Sequence, residues 1–265
     1  MNTSDFVSLS PETLVLEVPG AIKRLGLIAL STDLTTERDF ARIIPMERAG
    51  VYGTRVAFAN PTTPDNLRKM APKITAATEL ILPGETLDAL CYSCTAASVV
   101  IGDAEIAASI HAARPGVPVV TPSGAALNAF SALDVQRISV LTPYLIETSL
   151  PMADYFKRHG FKIEKFRCLG LDDDRDMARV DPDMILRAAL ETDTAQTQAF
   201  FLSCTGLQGV DVIEELERQT GKPVVTSNQA SAWALMNHAG LVQTSDRWGR
   251  LFDHALPSHN QGAGA

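Results

Sequence analysis

YSCTA at Tyr92–Ala96 is repeated as LSCTG at Leu202–Gly206, and this repeat is the strongest indication of the fold. Each copy lies where an apolar run gives way to a helical pattern. Two more echoes keep the same order along the chain: Lys23–Ile28 with Gln136–Leu141, and Val117–Thr121 with Lys222–Thr226. The three pairs are offset by 113, 110 and 105 residues. Collinear echoes at nearly one spacing predict a duplicated α/β half, which is longer than a short solenoid repeat.

Short apolar runs alternate with helical patterns in both halves. Leu25–Leu30 is typical of a strand buried on both faces, and Leu145–His159 has helical spacing. The alternation predicts an α/β fold of two pseudo-symmetric Rossmann-like halves, each a parallel sheet covered by helices, with the active site in the cleft between them. The expected first α/β lobe is 1–121 and 227–265, with an N-terminal arm at 1–20, and the second is 122–226. Other expected elements are the strands Tyr52–Ala59 and Phe161–Phe166 and the helices Leu67–Leu80, Val99–Ala113 and Val210–Thr220.

Composition limits the class of protein. A chain of 265 residues that is 46% hydrophobic can bury a sizeable core. Its net charge of −8 argues against a nucleic-acid surface, and the sequence has neither a secretory start nor an apolar stretch of membrane-spanning length. The four cysteines form no small disulfide scaffold, which indicates reduced thiols. We therefore expect a cytoplasmic protein with no nucleic-acid or membrane partner.

Polar and reactive side chains follow the predicted strands. Ligands of parallel sheets bind beyond the carboxyl ends of the strands, where the following loops meet. The residues expected on this rim are Ser31, Asp33, Cys94, Tyr144, Asp174 and Cys204.

Cys94 and Cys204 each stand between a strand and a helix. Helix-start amides and the helix dipole favour a thiolate, so we expect the thiol pKa to fall below its usual value of roughly 8.5. For one isolated cysteine, a small buried residue at a tight turn is the commoner situation. Two equivalent cysteines instead favour catalysis.

Other uses of the cysteines explain less. Cys91 and Cys94 form a Cys-x-x-Cys, but a redox motif does not account for Cys204. Cys168 lies in an apolar run and is expected in the core. No cysteine and histidine occur at zinc-ligand spacing, and no glycine-rich nucleotide loop is present, so we expect neither metal nor cofactor.

These motifs together resemble the aspartate/glutamate racemase superfamily. Within it the chain is similar to the branch of maleate cis-trans isomerase, arylmalonate decarboxylase and the ectoine-utilisation racemase-like proteins, from about Ile22 to Gly240. The resemblance implies two α/β halves that close over a small carboxylic acid without a cofactor, and it makes a homodimer unsurprising. It implies Cys94 and Cys204 as the catalytic pair and Tyr144 at the substrate carboxylate. Further substrate-binding residues are expected in the two thiol loops: Thr95, Ala96, Thr205 and Gly206.

Two departures from the family pattern concern the substrate. The isomerases have asparagine where this chain has Asp33 and Asp174. An amide can donate to a dicarboxylate, whereas an ionised aspartate only accepts and would repel it. Both aspartates therefore favour a substrate with an amino group, although an acidic run such as Asp172–Asp174 is commonly a solvated loop.

Four activities remain to be weighed. A two-cysteine site suits deprotonation on one face of Cα and reprotonation on the other, which predicts a racemase or epimerase of an amino-bearing carboxylate, as in ectoine catabolism. Maleate-type cis-trans isomerisation with Cys94 as a covalent nucleophile is the alternative. A sensor with a catalytically idle pocket also stays open. Decarboxylases of this type keep only the second-half cysteine, so Cys94 counts against decarboxylation.

Overall fold

The computed structural model describes residues 7–16, 20–241 and 244–257. The first sheet has the parallel order β2-β1-β3-β4, and the second has the parallel order β6-β5-β7-β8. The strands are β1 Lys23–Leu30, β2 Ala49–Val56, β3 Ala89–Ser93, β4 Val119–Val120, β5 Arg137–Tyr144, β6 Lys162–Leu171, β7 Ala199–Leu202 and β8 Val224–Thr226. The second order repeats the first, so the predicted fold class of two like α/β halves is confirmed.

Helices connect and cover the strands. They are α1 Thr36–Ile43, α2 Pro64–Arg68, α3 Ile74–Glu79, α4 Thr95–Ile101, α5 Asp103–Ala113, α6 Pro122–Ala132, α7 Ile146–Arg158, α8 Asp174–Met177, α9 Pro182–Leu190, α10 Ile213–Thr220 and α11 Ser227–His238. The apolar run Leu25–Leu30 is buried along its whole length, as expected of a central parallel strand. In the second half, Phe130 of α6 packs on Phe156 of α7 and Phe201 of β7 with ring centroids 6.0 Å apart in both pairs.

The predicted helix Val99–Ala113 is wrong in its extent. The structure has two helices there, α4 and α5, bent by 95° relative to each other at Gly102. Gly102 adopts φ +100°, a conformation that breaks the helical hydrogen-bond ladder and that side-chain-bearing residues rarely adopt. No single described helix is long and apolar enough to cross a bilayer; α4 and α5 have the length and composition only as this bent pair. The break lets α4 begin directly after Cys94.

Three further boundaries differ from the prediction. Leu67–Leu80 is not one helix, because α2 and α3 are separated by a 3-10 turn at Ala71–Lys73 that contains a proline without an N–H to donate. The second strand begins at Ala49 instead of Tyr52, and Gly209–Val212 forms a 3-10 turn before α10.

The sixth strand extends past the predicted end at Phe166 to Leu171, with register shifts against β5. Within the arm predicted at 1–20, residues 7–16 contain no helix or strand, and the rest, apart from residue 20, lies outside the described residues. The limits of the two lobes stay a prediction.

Candidate active site

Loops at the carboxyl ends of β1, β3, β5 and β7 meet around one small cavity. This is the position at which parallel α/β sheets bind ligands. The lining includes eight of the ten residues predicted for the site: Asp33, Cys94, Ala96, Tyr144, Asp174, Cys204, Thr205 and Gly206. Both cysteines therefore lie at one cavity, although 110 residues separate them in the chain.

Ser31 and Thr95 are near the cavity but do not line it. The exposed Ser31 hydroxyl accepts from the backbone N–H of Phe58 at 3.1 Å, on the neighbouring loop. The Thr95 hydroxyl is buried and donates to Oγ of Ser227 at 2.7 Å. A substrate role for either side chain stays a prediction.

Cys94 precedes α4 and is 6% exposed. Burial raises the pKa of its thiol, and the backbone amide of Ala97 in the first turn only partly opposes that shift. Negative charge on Cys204 or on the two cavity aspartates would raise the pKa of Cys94 further. The expectation that the helix start would lower the pKa is therefore wrong here, because desolvation outweighs the helix-start amides.

Cys204 follows β7 with φ +118°, a region that favours glycine. Burial raises the pKa of its thiol to about 12, while hydrogen bonds from the Tyr144 side chain and the Gly206 amide favour the thiolate. The Gly206 amide lies 3.2 Å from Sγ. Burial also raises the pKa of Tyr144 well above 10, so its hydroxyl stays protonated and can donate. Cys204 thus has two donors in place for a thiolate, should one form.

Asp33 is bound to the first turn of α1. Its Oδ1 accepts the backbone N–H groups of Thr35 at 2.9 Å and Thr36 at 2.8 Å, and its Oδ2 accepts the Thr36 hydroxyl at 2.7 Å. Burial raises the pKa of Asp33, and these hydrogen bonds oppose the shift. Oδ1 therefore anchors the loop to the helix. Oδ2 occupies the position at which an asparagine would have its amide nitrogen.

Asp174 is held by the first half of the chain. Its Oδ1 accepts from Nδ2 of Asn60 at 2.8 Å, and its Oδ2 accepts from the Thr32 hydroxyl. The Asp174 amide in turn donates to Oδ1 of Asn60 at 3.2 Å. Asp174 is half-buried in the cavity wall, so the alternative of a freely solvated acidic loop does not describe it.

Sequence reasoning missed the apolar wall of the cavity and one polar neighbour. These residues are Leu30, Leu34, Thr62, Leu67 and Met177. They come from separate elements of both halves, so no local pattern in the sequence groups them. The described residues that line this cavity include no lysine or arginine. An anionic ligand there is left with backbone N–H groups, hydroxyls and thiols as donors.

The fold and the cavity together define an α/β enzyme that carries one cysteine from each of two like halves. The chain belongs to the arylmalonate decarboxylase family, whose model matches residues 77–252. Arylmalonate decarboxylase of Bordetella bronchiseptica is 33% identical over 143 residues, which are 53% of this chain and 60% of that protein. Maleate isomerase of Nocardia farcinica is 24% identical over 241 residues, covering 87% of this chain and 95% of that protein.

Solved structures have the same fold. A mutant of Nocardia farcinica maleate cis-trans isomerase with a covalently bound succinylcysteine intermediate matches with a TM-score of 0.81 at 22% identity, covering 87% of this chain and 98% of that one. The predicted branch of maleate isomerase and arylmalonate decarboxylase is confirmed, as is the prediction of an isomerase enzyme. The closer likeness to ectoine-utilisation proteins stays a prediction.

Proposed function

We propose that the protein is a cofactor-independent isomerase of a small carboxylate, with Cys94 and Cys204 as its reacting groups. The observation that carries the proposal is the meeting of both thiols at one cavity from equivalent loops of the two halves. Both are at least nine-tenths buried, as a reaction that must exclude water requires.

The reaction proposed first is cis-trans isomerisation about a carbon–carbon double bond, because maleate isomerases are prominent among the relatives. Cys94 as thiolate adds to the alkene carbon β to the carboxylate, and the π electrons move toward that carboxylate. Cys204 gives its proton to the α-carbon, so the former double bond becomes a single bond and rotates. Return of that proton to Cys204 and expulsion of Cys94 complete the cycle without net proton uptake.

Burial raises the pKa of both thiols, so the division of roles rests on the resemblance to the family and not on their protonation states. With a pKa of about 12, Cys204 is a thiol at neutral pH and can serve as the acid. Cys94 must lose its proton before attack, and the backbone amides at the start of α4 are the groups that stabilise its thiolate.

Racemisation or epimerisation of an amino-bearing carboxylate is the second candidate, and Asp33 and Asp174 favour it. Two carboxylates in a wall whose described residues include no lysine or arginine suit an ammonium group better than a second substrate carboxylate. In that reaction one thiolate removes the Cα proton and the other thiol supplies a proton on the opposite face. An ectoine-derived diamino acid is a substrate of this kind.

Proton NMR in heavy water separates the two reactions. With maleate and other small alkenoates, cis-trans isomerisation predicts conversion to the trans isomer. With diaminobutyrate derivatives and aspartate, racemisation predicts loss of the Cα proton signal. The variants Cys94→Ser and Cys204→Ser should each abolish the reaction, whereas Cys168→Ser, outside the cavity lining, should retain it. Full turnover in both of the first two variants, or ligand binding without turnover of any candidate, would overturn the proposal.

The aspartates are tested by charge removal. Asp33→Asn keeps the oxygen that accepts from the backbone N–H groups of Thr35 and Thr36, and it replaces the oxygen that accepts from the Thr36 hydroxyl by an NH2 group. We expect Asp33→Asn and Asp174→Asn to weaken binding of amino-bearing ligands and to strengthen binding of dicarboxylates. Equal effects on both ligand classes contradict the ammonium site.

A homodimer is also proposed on the resemblance to the family, and a cytoplasmic location on the four free cysteines. Light scattering of the purified protein decides the first point, because a monomeric mass excludes the dimer. Fractionation of the native cells decides the second.

A further inference from the structure

The first turn of α11 lies between the two thiol loops. A capping box fixes this turn: the Thr226 side chain accepts from the Gln229 amide, and the Gln229 side chain accepts from the Thr226 amide. The next two side chains, Ser227 and Asn228, are 1% and 2% exposed. Neither belongs to the cavity lining, so they do not contact a ligand there directly.

Ser227 links the loops of both cysteines. Its Oγ accepts the Thr95 hydroxyl at 2.7 Å and the backbone N–H of Cys204 at 3.0 Å. Thr95 directly follows Cys94, so one oxygen atom connects the residue after the first thiol with the amide of the second. Two hydrogen bonds to a single side chain therefore help to fix the separation of the two loops, beside a direct bond from the Thr205 hydroxyl to the carbonyl oxygen of Ser93 at 3.4 Å.

Asn228 holds the other side of Cys204. Its Nδ2 donates to the carbonyl oxygen of Thr205 at 2.8 Å and to Oδ2 of Asp39 at 2.8 Å. The hydroxyl of Thr35 also donates to that Thr205 carbonyl. The amide of Cys204 and the carbonyl of the next residue, Thr205, are therefore both hydrogen-bonded. Restraint on both sides of Cys204 lets a residue other than glycine keep φ at +118°.

We propose that Ser227 and Asn228 are positioning residues that hold Cys204 in its left-handed backbone conformation and set its placement relative to Cys94. The inference rests on the proposed function only in taking these two thiols as the reacting groups. Loss of the Ser227 hydroxyl leaves the Cys204 amide without its acceptor and the Thr95 hydroxyl without its partner, and the two thiol loops lose their common support.

Ser231 provides a matched control on the same helix. It is one turn further along α11, is fully buried, and its Oγ has no hydrogen-bond partner among the described residues. Ser231→Ala therefore removes the same hydroxyl group as Ser227→Ala without breaking a bond to either thiol loop; the Ser231 side chain instead faces the Cys91 thiol. Ser227→Thr keeps the hydroxyl and is the conservative variant.

The experiment measures iodoacetamide labelling of each cysteine by peptide mass spectrometry in the full-length protein. Ser227→Ala should raise the labelling rate of Cys204 about tenfold, the equivalent of about 1.4 kcal/mol in opening of its loop. Cys91 is fully buried on β3 and reports global opening, so its rate should not change. Ser227→Thr and Ser231→Ala should label like the unaltered protein.

Three results would overturn the inference: an unchanged Cys204 rate in Ser227→Ala, an equal rise at Cys91, or the same rise in Ser231→Ala. Asn228→Ala is a second variant that removes the donor to the Thr205 carbonyl and to Asp39 together with the acceptor of the Thr36 hydroxyl, and it must also raise labelling of Cys204 selectively. Where turnover is measurable, Ser227→Ala should lower kcat with little change in KM, and Ser227→Thr should restore it. Labelling needs no substrate, so a failed substrate screen counts against the proposed function and not against this role.

Discussion

Asp39→Asn should flatten the pH dependence of stability, because Asp39 is a carboxylate buried in the protein interior. It lies on α1 with its side chain fully buried, 2.8 Å from Nδ2 of Asn228 and 3.4 Å from Nη2 of Arg38. Burial raises its pKa from 3.8 to about 6, and the Asn228 and Arg38 side chains only partly offset this shift. The folded protein therefore holds a proton on Asp39 at pH values where the unfolded chain has released it.

The size of the effect follows from the two pKa values. Well below pH 3.8 both states are protonated, and well above pH 6 both are ionised, so the penalty develops mainly as the pH rises between these two values. A shift from 3.8 to about 6 corresponds to about 3 kcal/mol of folding stability lost as the pH rises through this window. Asparagine cannot ionise, so the stability of Asp39→Asn does not decline through this pH window for this reason. The substitution does remove the pairing with Arg38.

Urea unfolding at pH 4, 5, 6 and 7 measures the effect. The free energy of unfolding of the unaltered protein, relative to that of Asp39→Asn, should decline by about 2 kcal/mol from pH 4 to pH 7, which is most of the full loss. Asp65→Asn is the control, because Asp65 is 87% exposed and its pair with Arg68 lies on the surface. Parallel stability curves for the unaltered protein and Asp39→Asn across this range would refute the reasoning.

Three shorter predictions follow from other contacts. The rate at which iodoacetamide labels Cys204 should still rise with pH at pH 10, since the pKa of this thiol is about 12. A rate that levels off near pH 8.5 contradicts the effect of burial on the pKa. Tyr155→Phe removes the hydroxyl that donates to Asp103 at 2.7 Å and should lower the free energy of unfolding by about 1–2 kcal/mol in urea; no change at all contradicts this. Gly249→Ala should lower the melting temperature more than Gly160→Ala. Both glycines have positive φ, but a Cβ at Gly249 would lie 2.7 Å from Ile213, whereas a Cβ at Gly160 would contact nothing. Equal decreases in melting temperature would rule out the clash.

The fold could be predicted because its main signals are local and occur twice. The apolar run Leu25–Leu30 and the paired thiol motifs report buried parallel strands and the loops after them, and the structure has both. The break at Gly102 was missed because an apolar period carries no information on φ, and glycine inside a helical pattern is often tolerated. The split before α3 could have been expected from its proline.

The candidate site could be predicted only in part. The cysteines and Tyr144 follow strands, so topology alone brings them to one edge. The raised thiol pKa depends on depth of burial, which a sequence does not report. Ser227 could not be found either, because its partner Thr95 is 132 residues away and only the folded chain brings them together.

The repeated strand order has a consequence for the ancestry of the molecule. An ancestral half-chain with one sheet in the order of β2-β1-β3-β4 would have presented a single thiol. A symmetric pair of such chains would have been needed to bring two sulfur atoms to one substrate. Gene fusion removes that symmetry. In this chain the copies have already diverged, because Cys94 leads directly into an α-helix while Cys204 is followed by a loop and a 3-10 turn at Gly209–Val212. Each sulfur can therefore specialise in one half of the reaction, which identical subunits cannot allow.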